Sequence, residues 1–388
     1  MYPRLGGRLR RPPASLVESL SGIIALRGRF CELTPLERVL AAVNHHEPDR
    51  VPVAPFIQGA ARRLTGITYL DFALKPEKTA EAYFAAVEMI GGDALYSAVD
   101  LSVEAADFGQ EMIYPPNSTA HPDYRNPRIA SEDDYGRLET FDPRRSPRMG
   151  STIELGRALS RRARLRYPVS GFVFGPLGVL AMMRGVKDLF LDCLKCPEKV
   201  RVGLEIVTEV LVDYALALLD AGVDGVMIDT LFASQSGMSR ELWEKIEAPY
   251  VKRIADAINH GNAMVTLHNC GNGPYFDLQI KYTEPVAISF AHLPDDCRTP
   301  AELKERYGRE IALIGYMPTD ALCLESPNRI MERAHEQMRE LGPGGGYILA
   351  PGCEYPPNID FANALALVKA AEIHGKYPIE KRSAAMAP

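Results

Sequence analysis

Ala263-Met264-Val265-Thr266-Leu267-His268-Asn269-Cys270 is an apolar, strand-like run that ends in an imidazole and a thiol. A second such run, Tyr347-Ile348-Leu349-Ala350, is followed closely by Cys353. Residues i and i+2 of a strand share a face, so His268 and Cys270 project together while Asn269 points away. One imidazole nitrogen and two sulfurs suit a tetrahedral zinc shell and leave a fourth position open to a reacting group. Spacing alone also fits a second reading: a buried histidine beside thiols that pack as small hydrophobes.

Working outward from this run, the chain alternates between strand-like and helical segments. Strands are predicted at Val51 to Ile57, Ala94 to Val99, Val169 to Phe174, Gly225 to Ile228, Ala263 to His268, Val286 to Phe290, Ile311 to Tyr316 and Gly346 to Ala350. Eight runs, most followed by an amphipathic segment, predict an α/β fold of the (β/α)8 barrel type. The chemistry of such a barrel sits at the C-terminal ends of its strands. The residues there are Gln58, Asp100, Gly175, Asp229, His268 with Cys270, His292, Met317 with Asp320, and Cys353 with Glu354. The metal triplet and the barrel are read from different features, and both point to the same face.

The helices carry recognisable punctuation. Pro197 opens a long segment that ends at Gly222, and Ser239 before Arg240-Glu241-Leu242 suits an N-cap. Asn358 or Asp360 precedes a segment from Phe361 to His374, and Thr34 to His46 predicts a helix that closes the barrel bottom. The domain reading is an N-terminal extension over 1–33, one barrel over 34–376 and a tail over 377–388. The extension carries Arg4, Arg8, Arg10 and Arg11 near its start, and Glu18 interrupts its apolar run, so it reads as a poorly ordered segment or an upstream start rather than a signal peptide. A polar stretch rich in Pro, Arg, Asp and Asn, about 109–167, is read as an insertion after the second strand, either a lid over the mouth or a small separate domain. Cys193 and Cys196 have no second pair and are given no chemistry, and Gly342-Pro343-Gly344-Gly345-Gly346 precedes a strand and reads as a turn.

The 388 residues are 46% hydrophobic and 24% charged with a formal charge of -6, which offers no general attraction to nucleic acid or anionic membrane. No apolar stretch reaches the roughly 20 residues that span a bilayer. Seven scattered cysteines do not resemble a secreted disulfide scaffold and read as reduced, cytoplasmic thiols.

Several further landmarks carry a resemblance. They are Leu33-Thr34-Pro35-Leu36-Glu37-Arg38 with Pro48-Asp49-Arg50-Val51-Pro52, Asp100-Leu101-Ser102-Val103-Glu104-Ala105, Gly175-Pro176-Leu177 and Ala221-Gly222-Val223-Asp224-Gly225-Val226. With His268-Asn269-Cys270-Gly271 and Gly352-Cys353-Glu354, the chain from about 34 to 376 resembles the uroporphyrinogen decarboxylase superfamily. Within it, the last two motifs resemble the zinc-dependent methyltransferases that move a methyl group between a corrinoid protein and a thiol such as coenzyme M. The decarboxylases carry two arginines in an Arg-Gln-Ala-Gly-Arg motif after the first strand to hold the porphyrinogen's carboxylates. Ile57-Gln58-Gly59-Ala60-Ala61 stands here instead, so the bidentate partners of a polyanionic tetrapyrrole are missing, and Arg62 and Arg63 could replace them only by a shift of register.

The resemblance implies Zn2+ held by His268, Cys270 and Cys353, and methylcobalamin or a related corrinoid supplied by a partner protein, because no Asp-x-His-x-x-Gly signature occurs in this chain. It implies a small thiol or methyl donor as the second partner. Asp229, Glu354 and Asp100 are the candidate catalytic side chains: Asp229 to hydrogen-bond His268 or the substrate or to cap a helix, Glu354 as a resting ligand or orienter, Asp100 with a general role in the mouth. Tyr316, Tyr355 and Tyr347 are candidate corrinoid contacts, with packing as the alternative. The remaining readings are a corrinoid-dependent demethylase working in the reverse direction, a porphyrinogen decarboxylase, and a non-catalytic barrel that binds a corrinoid protein.

Overall fold

The computed structural model describes residues 31–261 and 263–380, with the short strands Arg4–Leu5 and Arg8–Leu9. Seven parallel strands form one curled sheet: β1 Leu95–Ser97, β2 Val169–Phe174, β3 Gly225–Asp229, β4 Met264–Asn269, β5 Ala287–Phe290, β6 Ala312–Met317 and β7 Tyr347–Pro351. Their order across the sheet follows the chain, and each pairs in parallel with the next. Parallel neighbours require a crossover, and helices supply it.

The run Val51 to Ile57 differs from its prediction as a regular strand. It occupies the gap between β7 and β1 with a single bridge, Val53 to Leu349. Ala54 N donates to Leu349 O at 2.9 Å, Leu349 N to Pro52 O at 2.9 Å, and Asp93 N to Val53 O at 2.7 Å, so the barrel closes through isolated bonds. The physical reason is Pro52 and Pro55, which have no N–H to give to a ladder.

Helix α1, Pro35–Val43, starts at a capping box in which Thr34 and Glu37 bond each other's backbone N–H. It brings Arg38, 2% exposed, beneath the sheet. Arg38 Nε lies 2.7 Å from Asp49 Oδ1, Arg38 Nη1 2.6 Å from Asp93 Oδ1, and Arg50 Nη1 2.8 Å from Asp93 Oδ2. This group of two arginines and two aspartates, with Arg38 and Asp93 buried and Asp49 and Arg50 partly so, ties α1, the first run and the entry to β1 together at the N-terminal end of the barrel.

The stretch from 109 to 167 holds the short antiparallel pair Met112–Ile113 with His121–Pro122, a 3-10 turn at Glu132–Arg137, and helix α2, Pro147–Ala163. Helix α2 packs on β1 and on α3, Pro197–Ala221, within the helical layer. Helix α3 ends at Gly222 with φ of 103°, a left-handed conformation that glycine adopts without strain. Of the extension, residues 1–30 lie outside the described residues apart from the strand pair, and of the tail 381–388 do. Tyr377 packs back on the barrel, its hydroxyl donating to Gly342 O at 3.0 Å.

Inward-facing Ala54, Phe56, Tyr96, Ala98, Met227, Ala287, Ala312, Ile314, Ile348 and Ala350 fill the barrel below its mouth. Among the described residues no helix is long and apolar enough to cross a membrane.

Candidate metal centre

Strand β4 carries His268 inward at its C-terminal end, and Cys270 follows just beyond it. Cys353 follows the end of β7. Strands β5 and β6 separate these two in the sheet, so only the curl of the barrel brings their tips together. The ligand atoms of His268, Cys270 and Cys353 all lie within 4.8 Å of one another. An imidazole nitrogen and two sulfurs converging in this way form a donor set that fits zinc.

The imidazole is oriented on two sides. Its Nδ1 lies 3.0 Å from Ser289 Oγ on β5, which leaves Nε2 for the thiols. Phe56 meets the ring edge-on at 6.4 Å and 65°. Asn269 turns the other way, as the strand period requires. It is fully buried and donates through Nδ2 to Thr230 O at 2.8 Å and Ala233 O at 3.2 Å, while its Oδ1 accepts from Gly271 N at 2.9 Å. That clamp fixes the backbone between His268 and Cys270. A Cβ on Gly271 would fall 2.3 Å from Ser234 Oγ, so only glycine fits directly after Cys270.

The hydrogen bond from Cys270 pulls Cys353 well below the usual thiol range, and the neighbouring His268 adds to this. The same bond, with burial and the Cys353 charge, pushes Cys270 up. Burial works to lower His268, but its hydrogen bond with Cys353 and the charge of Asp229 outweigh it and raise the imidazole.

The other predicted residues take distinct places. Asp229 ends β3 opposite His268 in the β-ladder and is 3% exposed. Burial pushes it up to about 6, and its Oδ1 has no hydrogen-bond partner. Ser289, not Asp229, meets His268 Nδ1. Glu354 is pushed up to about 8, first by burial and then by the charges of Cys353 and Asp100, and its Oε1 accepts from Gly59 N at 3.0 Å. Neither carboxylate belongs to the group whose atoms converge within 4.8 Å. Asp100 has both oxygens engaged: Oδ1 accepts from Ser102 N at 2.9 Å and Oδ2 from Arg148 Nη2 at 2.7 Å.

The tyrosines are committed to packing. Tyr316 stacks on Phe290 at 5.3 Å and feels the charges of Glu340 and Glu336, on the outer helical side of the sheet. Tyr355 is fully buried and donates to Asp360 O at 2.6 Å. Tyr347 donates to Gly315 O at 2.6 Å. Arg62 donates to Asn358 Oδ1 at 2.9 Å and lies over the Tyr69 ring, and Arg63 bonds Ile359 O. His292 is exposed.

Sequence reasoning missed Ser289, Phe56 and Arg148. Ser289 left a signal, a polar residue within the apolar run Ala287-Ile288-Ser289-Phe290. Arg148 left none, because it reaches Asp100 from the start of α2. Two buried acids also went unread. Glu104 accepts from Phe174 N at 2.9 Å, and burial pushes it up to about 8. Glu247 accepts from Leu177 N at 3.1 Å and Trp243 Nε1 at 2.8 Å, and burial pushes it up to about 7.

Fold and centre together define a class: a barrel of the (β/α)8 type with an imidazole and two thiols gathered at its catalytic end. The family profile described as uroporphyrinogen decarboxylase (URO-D) matches residues 34–374, and the chain belongs to that family. The chain is 25% identical over 349 residues to a methylcobamide:CoM methyltransferase MtbA of Methanosarcina acetivorans, covering 88% of this chain and 98% of the relative. It is 24% identical over 351 residues to a methylcobamide:CoM methyltransferase MtaA of Methanosarcina barkeri, with 88% and 98% covered. A uroporphyrinogen decarboxylase of Anaeromyxobacter dehalogenans is 23% identical over 355 residues, with 87% and 99% covered. A solved methyltransferase structure from Methanosarcina mazei shares the fold at a TM-score of 0.75 and 23% identity, covering 88% of this chain and 99% of that one.

Proposed function

We propose that the protein is a zinc-dependent methyltransferase that moves a methyl group between a methylated corrinoid protein and a thiol acceptor, in the cytoplasm where its cysteines stay reduced. The observation that carries this reading is the convergence of His268, Cys270 and Cys353 within 4.8 Å at the catalytic end of the barrel. The relatives named as methylcobamide:CoM methyltransferases support it.

His268 through Nε2, with Cys270 and Cys353 through sulfur, would hold the metal. Zinc bound there supplies the positive charge that keeps a substrate thiol deprotonated near neutral pH. Ser289 holds the imidazole's orientation through Nδ1, and Asn269 holds the His268–Cys270 spacing. Phe56 shields one side of the ring from water. The corrinoid belongs to a partner protein that covers the mouth.

Decarboxylation of a porphyrinogen lacks its cations. Ile57 and Ala61 stand at the arginine positions, and Arg62 and Arg63 are engaged with Asn358 and Ile359.

The test follows the absorbance of methylcobalamin with zinc-loaded protein and a panel of thiols that includes coenzyme M. Thiol-dependent loss of the methylcobalamin spectrum that stops on addition of a chelator is the expected result. An unchanged spectrum with every thiol would overturn the acceptor reading and direct attention to methylated donors.

A further inference from the structure

Phe56 is the residue at which the first run leaves the sheet. Up to Ala54 the run follows β7, exchanging backbone bonds with Leu349 in both directions at 2.9 Å. At Phe56 the backbone turns to a φ of 44°, and at Gln58 to 30°. A bulky side chain rarely adopts such left-handed angles, because its Cβ crowds the backbone, and they persist only where the surroundings over-determine them. Phe56 is 4% exposed, so packing supplies that constraint.

The turn brings two parts of this one residue to two different ligand-bearing segments. Its carbonyl accepts from Tyr355 N at 3.0 Å, in the loop that carries Cys353. Its ring meets His268 edge-on at 6.4 Å and packs on Tyr96 at 4.6 Å. Gly59 N donates to Glu354 Oε1 at 3.0 Å and adds a second tie to the same loop. Strands β5 and β6 stand between β4 and β7, so no ladder bond fixes the distance from His268 to Cys353. Phe56 reaches both segments across the inside of the barrel.

We infer that Phe56 is a positioning residue of the metal centre: its strained backbone fixes the loop that carries Cys353, its ring fixes His268, and together they set the separation of imidazole and sulfur before a metal arrives. The inference rests on the reading of the triplet as a metal centre and not on the methyl-transfer step. A phenylalanine that only filled volume would need no left-handed backbone, and its loss would cost the same stability with and without metal. A residue that spaces ligands acts on the metal-bound state in particular, because nitrogen and sulfur must meet a tetrahedral ion at fixed distances and angles.

The experiment compares Phe56→Ala and Phe56→Gly with Ile314→Ala, which opens a hole in the same interior cluster but on β6, a strand that bears no ligand. The full chain is loaded with Co2+ for its ligand-field spectrum and titrated with Zn2+ against a chromogenic chelator, and thermal unfolding is recorded with and without zinc. Phe56→Ala is expected to weaken zinc binding by about 10- to 100-fold and to shift or weaken the cobalt bands. The rise in unfolding temperature that zinc confers should shrink with it, since that rise follows affinity. Ile314→Ala should lower the unfolding temperature yet keep the wild-type cobalt spectrum and zinc affinity. In the metal-free chain Phe56→Gly should unfold no lower than Phe56→Ala, because glycine adopts a positive φ without strain. If the alanine variant does not fold, Phe56→Leu, which keeps most of the volume and loses the flat ring edge, carries the same comparison. Unchanged affinity and spectrum at position 56 would overturn the inference, as would an equal loss of affinity in Ile314→Ala or a glycine variant that unfolds below the alanine one. If the wild-type chain takes up neither ion, the metal reading falls and the inference with it. Metal binding that depends on Phe56, without any reaction of methylcobalamin, would sink the proposed reaction and leave the inference standing.

Discussion

His268 Nδ1 and Ser289 Oγ lie 3.0 Å apart on neighbouring strands, both buried, and this contact sets which imidazole nitrogen faces the thiols. A ligand held by such a partner keeps its tautomer and ring angle.

Ser289→Ala is therefore expected to lower zinc affinity by about 10- to 100-fold, with a stability loss of only about 1–2 kcal/mol from the unpaired nitrogen. Competition with a chromogenic chelator measures the first and urea unfolding the second. Unchanged zinc affinity would mean that the serine only fills space.

Cys353→Ala removes one sulfur from a half-buried position beyond the end of β7. Zinc content and methyl transfer should be lost, while the metal-free chain stays within about 1 kcal/mol of wild type, as for most changes away from the core. Metal analysis, the methylcobalamin assay and thermal unfolding read the three quantities. Retained turnover would remove Cys353 from the mechanism.

Asp100 and Arg148 form an ion pair whose side chains are 3% and 5% exposed. Asp100→Ala leaves Arg148 charged and buried, and the expected cost is about 3–5 kcal/mol. The paired change Asp100→Ala with Arg148→Met should recover part of that loss, as a double-mutant cycle by denaturant unfolding would record.

Glu104 is 2% exposed, and burial raises its proton affinity to about 8. An acid raised in the folded state binds more protons there than in the unfolded chain between its ordinary value and about 8, so its contribution falls as pH rises through that window. Glu104→Gln keeps an oxygen for Phe174 N–H and cannot ionise. Relative to wild type it should gain stability from pH 5 to pH 9, at about 1.4 kcal/mol for each tenfold change in proton affinity removed. Thermal unfolding of both proteins at the two pH values checks the sign, and a gap independent of pH would refute it.

Much of the barrel was legible because its strands are apolar runs between proline, glycine and capping residues, and local chemistry of that kind needs no partner. β4 and β7 each begin and end within a residue or two of their predicted bounds. Helix α3 stops at Gly222 for the same reason, a backbone angle that glycine adopts freely. Val51 to Ile57 was only half legible. Its apolar character placed it in the barrel, but Pro52 and Pro55 withhold the donors a ladder needs, and the gap closes by scattered bonds. Tyr316 and Tyr355 could be located near the strand tips, yet which way each ring packs depends on Phe290 and Asp360, neighbours that spacing does not reveal.

By itself the sequence determined the alternation of strands and helices, the shared face of His268 and Cys270, and the residue types able to form a thiol and imidazole centre. These follow from the period of a strand and the chemistry of single side chains. Only the tertiary structure decided that Cys353 meets that pair across two intervening strands, that Ser289 orients the imidazole, that Arg148 neutralises Asp100, and that Asp229 keeps a buried oxygen unpaired. Each is a through-space relation created by closure of the barrel, which brings together groups whose separation along the chain carries no information about their distance.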